Sequence, residues 1–154
     1  MIKIKTGDLL RADEKIIAHQ VNCFGSAGGL AAHVFKKYPD AESDYHQIIE
    51  LIHSAGGSRA ALLGFSQVTG QQPDGHVIAN LFGQFYPGED YRPDDLREAL
   101  EGLAEMARIM GWSVAIPWRI SCGICGGDWN EVQEIIKETM VGVDCVIYRR
   151  EGDE

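Results

Sequence analysis

The segment IPWRISCGICGGDWNEV, residues 116–132, carries a CxxC pair, three glycines in five residues and an acid directly before a helical pattern. Cys122 and Cys125 have the spacing of half a zinc site or of a redox pair, but a closed structural zinc site needs four ligands. Cys23 and Cys145 complete such a set only if the fold gathers all four thiols. We therefore expect no metal site, and we interpret the segment as a loop that binds a ligand through its backbone.

A second glycine-rich segment, NCFGSAGGL at residues 22–30, also follows an apolar strand pattern and opens onto a helical pattern. Glycine lets a ligand approach the backbone closely, and the N–H groups at a helix N-terminus attract anions. Ligands of open α/β sheets collect at the carboxyl ends of the strands, where such loops lie. The two segments together predict a site for a small anionic ligand.

Two acidic residues near these segments have alternative interpretations. Asp128 and Glu131 fit a capping box, in which Asp128 is the N-cap of the following helix, yet the same carboxylate can face a ligand. Asp8, in the sequence TGDLL, fits an ordinary turn as well as a binding role. His19 lies within an apolar strand pattern and is interpreted as a packed or hydrogen-bonded residue without a catalytic role.

The pattern of apolar residues predicts six strands that alternate with helices for most of the chain. The predicted strands are 2–5, 15–22, 60–68, 76–82, 112–117 and 143–149, and the predicted helices are 30–38, 41–55, 93–110 and 129–139, with Asp40 as the N-cap of the second helix. This order predicts an α/β fold of three α/β/α layers around a central mixed, mostly parallel sheet. We expect a single domain over residues 1–150 and an acidic tail over residues 151–154.

Composition narrows the classes of function. The 154 residues carry a net charge of -9, which argues against non-specific nucleic-acid binding, since that needs a basic surface. The sequence contains neither an apolar run long enough to span a membrane nor a signal-peptide pattern. We therefore expect no membrane association, a cytoplasmic protein with reduced thiols, and a monomer by default.

The chain resembles the macrodomain family, also called Appr-1''-p processing. The matching motifs are GDL, IAHQVNCFGSAGGLAAHVFKKYP, IANLFGQ, IPWRISCGICGGDW and VIYR, which occur in the family's order over nearly the whole chain. Within the family it resembles the compact class that includes ADP-ribose 1''-phosphate phosphatases and deacylating enzymes. The resemblance implies a macrodomain fold, ADP-ribose or one of its derivatives as the ligand, and no cofactor.

The resemblance also implies roles for individual residues. Asp8 would accept a hydrogen bond from the adenine 6-amino group beside the N–H of Leu9, and Tyr148 would lie against adenine. Asn22 would face the distal ribose, and it is a candidate catalytic residue together with Asp128. The other implied ligand contacts are Gly25, Gly28, Gly29 and Leu30 around the distal ribose and pyrophosphate, and Ser121, Cys122, Gly123, Ile124, Cys125 and Gly126 around the diphosphate.

Macrodomains include hydrolases and readers that only bind ADP-ribose. The deacylating members use a lysine that has no counterpart here, because no lysine occurs between Lys37 and Lys137. Cys125 also stands where those enzymes carry an acid. We therefore expect hydrolysis at the distal ribose by a positioned water, with Asp128 or the ligand's own phosphate as the base. A non-catalytic reader and a binder of another nucleotide, such as NAD, are the alternatives.

Overall fold

The computed structural model describes residues 2–153. These residues form the strands β1 (Ile2–Thr6), β2 (Ile16–Gln20), β3 (Ser66–Val68), β4 (Val77–Leu81), β5 (Val114–Pro117) and β6 (Cys145–Arg149). They also form the helices α1 (Gly29–Lys37), α2 (Pro39–Ser54), α3 (Pro93–Met110) and α4 (Trp129–Thr139), and the short 3-10 turns Leu9–Arg11 and Arg59–Leu62.

The strands form one mixed sheet in the order β1-β6-β5-β2-β4-β3. Every neighbouring pair is parallel except β3 and β4, which are antiparallel. Parallel strands need a crossover of a dozen or more residues, and the helices supply these crossovers. The predicted mixed, mostly parallel sheet is therefore confirmed, with β3 as its antiparallel edge.

Helices cover both faces of this sheet. On one face, the apolar stripes of α3 and α4 pack against alternate strand residues such as Ile16 and Ile116. On the other face, α1 and α2 pack against the intervening residues, among them Ile17 and Ala115. Successive side chains of a strand point to opposite faces, so each strand between these layers contributes to two cores. The three-layer prediction is confirmed.

Two local predictions are wrong for identifiable reasons. Residues 60–68 do not form one strand, because Ser58 caps a 3-10 turn by accepting a hydrogen bond from the N–H of Ala60 at 3.2 Å, and only Ser66–Val68 pairs in the sheet. Asp40 is not the N-cap of α2. The cap is Tyr38, and Pro39 occupies the first turn, where its fixed φ and missing N–H are favourable.

The predicted bounds of α3 and α4 are confirmed. The strands β2, β4, β5 and β6 are shorter than predicted by one or two residues at an end, whereas β1 extends one residue further than predicted, to Thr6. The predicted tail, residues 151–154, extends one residue past the described part of the chain. Within it, the carbonyl oxygen of Asp153 accepts a hydrogen bond from Nε of Arg149 at 2.6 Å. No helix within residues 2–153 has the length and apolar character needed to cross a membrane.

His19 lies in the centre of the sheet and is 1% exposed. Its Nε2 lies 2.6 Å from Oδ1 of Asn80 on the neighbouring strand β4, and its ring meets Phe35 edge-on at 5.2 Å. Nδ1 has no hydrogen-bond partner among the described residues. Burial lowers the pKa of His19 to about 4, although the hydrogen bond with Asn80 raises it. His19 is thus a neutral core residue, as the sequence indicated.

We predict that His19 makes the free energy of unfolding depend on pH. Its pKa is about 4 in the fold, against 6.5 for a histidine exposed to water in the unfolded chain, so the unfolded chain binds more protons between these values. The contribution of neutral His19 to the free energy of unfolding is fully present above pH 6.5, and it is lost as the pH falls to about 4. The expected loss from neutral pH to about pH 4.5 is about 2 to 3 kcal/mol.

Urea unfolding at a series of pH values measures this effect. His19→Gln keeps a hydrogen-bond donor for Asn80 but does not titrate. Between neutral pH and about pH 4.5, the free energy of unfolding of this variant is therefore expected to fall by about 2 to 3 kcal/mol less than that of the unmodified protein. Equal pH slopes in the two proteins would contradict the assignment.

Candidate functional site

Three loops leave the carboxyl ends of adjacent parallel strands and lie side by side. Loop 1 comprises residues 21–28 after β2, loop 2 comprises residues 82–92 after β4, and loop 3 comprises residues 118–128 after β5. Because β5, β2 and β4 are neighbours in the sheet, the loops share one edge of the molecule. The sequence predicted loops 1 and 3 as binding loops. It did not predict a role for loop 2.

Loop 2 is hydrogen-bonded to both glycine-rich loops. On one side, the N–H of Cys23 donates to the carbonyl oxygen of Phe85 at 3.0 Å. On the other side, the N–H of Asp90 donates to the carbonyl oxygen of Cys125 at 3.1 Å, and the thiol of Cys125 donates to the carbonyl of Asp90 at 3.2 Å. Loop 2 therefore fixes the positions of loops 1 and 3 relative to the sheet.

The Asp90 carboxylate organises loop 2. Its Oδ2 accepts hydrogen bonds of 2.9 Å from the N–H groups of Phe85 and Tyr86 and from Nε of Arg92. Burial raises the pKa of Asp90, but the hydrogen bonds from Arg92 and the two N–H groups outweigh it, so the pKa lies below its usual value. The carboxylate is thus ionised at neutral pH. An acid among turn-forming residues was the only sequence signal for this role.

Asn22 holds the shape of loop 1. Its Oδ1 accepts hydrogen bonds from the N–H of Phe24 at 2.9 Å and from the hydroxyl of Tyr45 at 3.0 Å. Its Nδ2 donates to the carbonyl of Ser26 at 2.7 Å. An amide nitrogen carries two hydrogens, so one donor of Asn22 is left for a ligand. Asn22 is 7% exposed, which limits its access to the mouth of the loop.

The end of loop 1 combines open space with the N-terminus of α1. Gly28 is the N-cap of α1, and Gly29 follows with φ +53°, a left-handed conformation that favours glycine. A Cβ added at either residue would meet nothing within 4 Å. The first N–H groups of a helix have no partner within the helix, so this end of α1 offers donors beside free space. The predicted ligand contacts Gly28, Gly29 and the exposed Leu30 lie at this open end of the loop. Gly25, with φ +75°, instead lies against the side chain of His46.

Loop 3 has a constrained backbone. Arg119 and Ser121 adopt positive φ values of 62° and 66°, which side chains rarely tolerate. A Cβ at Gly127 would lie 2.5 Å from the carbonyl oxygen of Ser121 and 2.6 Å from the ring of Tyr91, so only glycine fits there. The Ser121 hydroxyl donates to Oε1 of Gln20, the last residue of β2. Such strained conformations persist where the surrounding structure enforces them, and they cluster at functional sites.

Loop 3 presents backbone donors and buries its thiols. Within residues 2–153, the N–H groups of Gly123, Ile124 and Cys125 donate to no protein acceptor. Cys122 and Cys125 are 5% and 6% exposed, and burial raises the pKa of Cys122 to about 11. No group of three or more His, Cys, Asp or Glu side chains in the described chain could hold a metal ion. The geometry suits an anion held by N–H groups, with Gly123 and Gly126 exposed beside Ile124.

Asp128 is the N-cap of α4, and its Oδ1 accepts a hydrogen bond from the N–H of Asn130 at 3.0 Å. The second half of the predicted capping box does not form. Glu131 instead accepts a hydrogen bond of 2.5 Å from the hydroxyl of Tyr91 at the end of loop 2. Asp128 is exposed, so its carboxylate can cap the helix and face a ligand at the same time.

Asp8 and Tyr148 lie at the far end of the same edge: Asp8 follows β1 as the cap of the 3-10 turn Leu9–Arg11, and Tyr148 lies on the neighbouring strand β6. The Oδ1 of Asp8 accepts from the N–H of Leu10 at 3.0 Å in an exposed turn, and Leu9 between them is buried. The ring of Tyr148 lies 3.5 Å from the position of a Cβ at Gly7, and its hydroxyl donates to Glu14 at 2.5 Å. Burial and this hydrogen bond raise the pKa of Tyr148 to about 12.

The predicted site residues therefore occupy one row along the carboxyl edge, from β1 and β6 through loop 3 to loops 1 and 2. β1 and β4 are four strand spacings apart, which is about 19 Å. An elongated ligand with a polar group at each end and an anionic centre matches this row.

Comparison with known proteins supports one family. No protein-family model matches the chain. The DNA ADP-ribosyl glycohydrolase of Mycobacterium tuberculosis is 30% identical over 161 residues, a match that covers 99% of this chain and 43% of that protein. The chain thus spans less than half the length of this relative.

Solved structures of macrodomains share both fold and length with the chain. The macrodomain of Mycobacterium tuberculosis DarG has a TM-score of 0.80 and 28% identity, with 96% of this chain and 97% of that chain covered. A macrodomain protein from Streptomyces coelicolor has a TM-score of 0.80 and 25% identity, with 97% and 99% covered. The chain therefore has the macrodomain fold, and it is similar in sequence to these macrodomains over nearly its whole length.

Proposed function

We propose that this macrodomain binds ADP-ribose and hydrolyses an ADP-ribosyl group at its distal ribose. The observation that carries the proposal is the row of unpaired backbone donors in loop 3, on the strand next to the one that leads into loop 1 and α1. A diphosphate needs many donors at short range, which these N–H groups can supply. The name of the mycobacterial relative, a DNA ADP-ribosyl glycohydrolase, supports the same ligand class.

The row of residues suggests one orientation of the ligand. Adenine would bind at Asp8 and Tyr148, where the free carboxylate oxygen of Asp8 accepts from the 6-amino group and Leu9 donates beside it. The diphosphate would bind between loop 3, from Ser121 to Gly126, and the N-terminus of α1. The distal ribose would then reach Asn22 and the glycines of loop 1. Backbone donors explain how a chain with a net charge of -9 binds a dianion.

The proposed reaction is attack by water on C1'' of the distal ribose. The water oxygen bonds to C1'' as the bond to the leaving group breaks, and the water's proton passes to a base. Asp128 and the ligand's own phosphate are the two proposed bases, since no lysine lies between Lys37 and Lys137. The name of the relative favours a DNA-linked leaving group, and the 1''-phosphate and ester derivatives are the other substrates to test.

One observation favours a second function, that of a reader which binds ADP-ribose without chemistry. The Asp128 carboxylate already serves as the cap of α4, and helix capping alone accounts for an acid at that position. In that case ADP-ribose binding would be intact and turnover absent.

We also propose a cytoplasmic location and a monomer. The four cysteines are free thiols buried in the fold, which suits a reducing compartment.

We expect selective binding of ADP-ribose that depends on the open space at Gly28. Gly28→Glu adds a Cβ that meets nothing within 4 Å, so we expect the fold to be unaffected while the added carboxylate repels the diphosphate. Calorimetric titration with ADP-ribose, AMP and NAD is expected to give the strongest binding for ADP-ribose. Gly28→Glu should lose at least about tenfold in affinity, or 1.4 kcal/mol, at an unchanged melting temperature. Tight binding of AMP without ADP-ribose binding would refute the proposed ligand.

The role of Asp128 is tested by Asp128→Asn, because Asn is as good an N-cap as Asp but is not a base. We expect the turnover of ADP-ribosylated DNA, ADP-ribose 1''-phosphate or an ADP-ribosyl ester to fall by about 100-fold or more, the usual contribution of a general base. The melting temperature and the Kd for ADP-ribose should change little. Full activity in Asp128→Asn would assign Asp128 to capping alone, and no turnover by the unmodified protein would favour the reader.

A further inference from the structure

We propose that the free edge of the sheet at β3 is a docking surface for a partner protein, which adds an extended segment of alternating basic and aliphatic residues as a further strand. β3 (Ser66–Val68) is the last strand of the sheet and has β4 on one side only. This surface is separate from the candidate functional site, because none of its residues lies in loops 1 to 3.

The backbone of β3 leaves hydrogen-bonding groups free along this edge. Phe65 accepts a backbone hydrogen bond from the residue after β4, and Thr69 donates one to a residue within β4, each at 2.9 Å. Backbone groups alternate between the two sides of a strand, so those of Ser66 and Val68 point away from β4. Two N–H groups and two carbonyl groups are thus available to an added strand, the pairing by which many proteins bind extended peptides.

On one face of this edge, an acidic groove runs between β3 and α3. Its floor is narrow, because a Cβ added at Gly102 of α3 would lie 3.7 Å from the Cβ of Ser66. Glu98, Glu101 and Glu105 line the groove, spaced so that they share one face of the helix. In the part of the chain that the structure describes, none of these three carboxylates has a cationic partner. The groove therefore offers three unpaired negative charges to a ligand.

The Ser66 hydroxyl lines the same groove. Its oxygen is buried and has no hydrogen-bond partner among residues 2–153. A buried polar atom without a partner is rare in folded proteins, because it has lost its bond to water and gained none. An ammonium or guanidinium group in the groove would donate to this oxygen and to the carboxylates beside it. This hydroxyl, independently of the charges, indicates an occupant that donates hydrogen bonds.

On the opposite face of the edge, a largely apolar groove runs between β3 and α2. Ile48 and Leu51 line it, and Leu51 is 63% exposed. The Gln67 side chain lies on this face, since its Nε2 donates to the carbonyl oxygen of Asp44 in α2 at 2.8 Å. Successive side chains of an added strand would point alternately into the two grooves. Alternating aliphatic and basic residues would therefore match both.

The charges also determine which occupant fits. A second copy of this chain, paired through its own β3, would bring a second set of the same glutamates to the edge, and like charges in adjacent strands repel. β3 has only three residues, so backbone pairing alone is weak and side chains decide the partner. An extended basic segment of another protein satisfies the free backbone groups, the carboxylates and the aliphatic groove together.

The probe for this surface is a synthetic heptapeptide of alternating Lys and Val with blocked ends, titrated into isotope-labelled protein and followed by NMR. We expect the amides of Ser66 and Val68 to shift and to exchange with solvent more slowly, because they become hydrogen-bonded. The amides of loops 1 and 3 should not change. A peptide of alternating Glu and Val, and one with the same Lys and Val residues in two blocks, are expected to bind at least about fivefold more weakly.

Two pairs of matched variants test the side-chain contacts. Glu101→Lys is expected to raise the Kd of the alternating Lys and Val peptide about fivefold or more, because repulsion replaces attraction. Asp144→Lys makes the same change of charge at an exposed position before β6 and should keep the Kd. Leu51→Ser should also weaken binding, whereas Val141→Ser, which removes a side chain of similar exposure (67% against 63%), should not. All four variants are expected to bind ADP-ribose like the unmodified protein.

Equal effects of Glu101→Lys and Asp144→Lys, or equal binding of the block and alternating peptides, would show non-specific attraction between charges and overturn the docking surface. Unchanged amides at Ser66 and Val68 would overturn the added strand in the same way. Sedimentation equilibrium tests the other occupant, since a dimer that Leu51→Ser disrupts would assign this edge to a second copy of the chain. Failure to bind ADP-ribose is measured separately and concerns only the proposed function.

Discussion

The geometry of the candidate site depends on the Asp90 carboxylate. One of its oxygens accepts three hydrogen bonds, from the N–H groups of Phe85 and Tyr86 and from Arg92. These bonds fold loop 2 back on itself, so that Phe85 is bonded to Cys23 in loop 1 and Asp90 to Cys125 in loop 3. Without this ionised group the three donors would have no common acceptor, and the two glycine-rich loops would lose the segment that lies between them. A single charge-assisted centre thus positions both glycine-rich loops.

The acidity of the chain is compatible with an anionic ligand because charge and donors are spatially separated. The acids of α3 lie largely on its exposed face, whereas the edge that carries loops 1 and 3 offers N–H groups and a helix N-terminus. Backbone dipoles act over a few ångströms, and the repulsion from distant surface carboxylates is screened by salt. Selectivity follows from this arrangement. A compact anion that enters between the loops meets donors, whereas an extended polyanion meets the acidic surface.

Sequence patterns predicted the regular elements best where local signals were redundant. The bounds of α4 follow from a glycine, a capping acid and an apolar stripe, and those of α3 from Pro93 and Gly111. The strand predicted at residues 60–68 is wrong because Ser58 starts a 3-10 turn, a choice that apolar content does not reveal. Loop 2 could not be predicted as a binding element, because its role depends on contacts between Asp90 and residues that no local pattern relates. The residues of loops 1 and 3 were predictable as a set through the family resemblance, while their roles stay predictions.

The strained backbone of loop 3 is fixed before any ligand binds. Arg119 and Ser121 are held at positive φ by the close packing of Gly127 against Tyr91 and by the bond from Ser121 to Gln20. These contacts belong to the fold itself, so the free energy of folding supports the strain. A ligand that met a flexible loop would have to order it, at a cost of about 1 to 2 kcal/mol per residue. Here the donors of Gly123, Ile124 and Cys125 are already fixed, so more of the interaction energy with an anion is available as affinity.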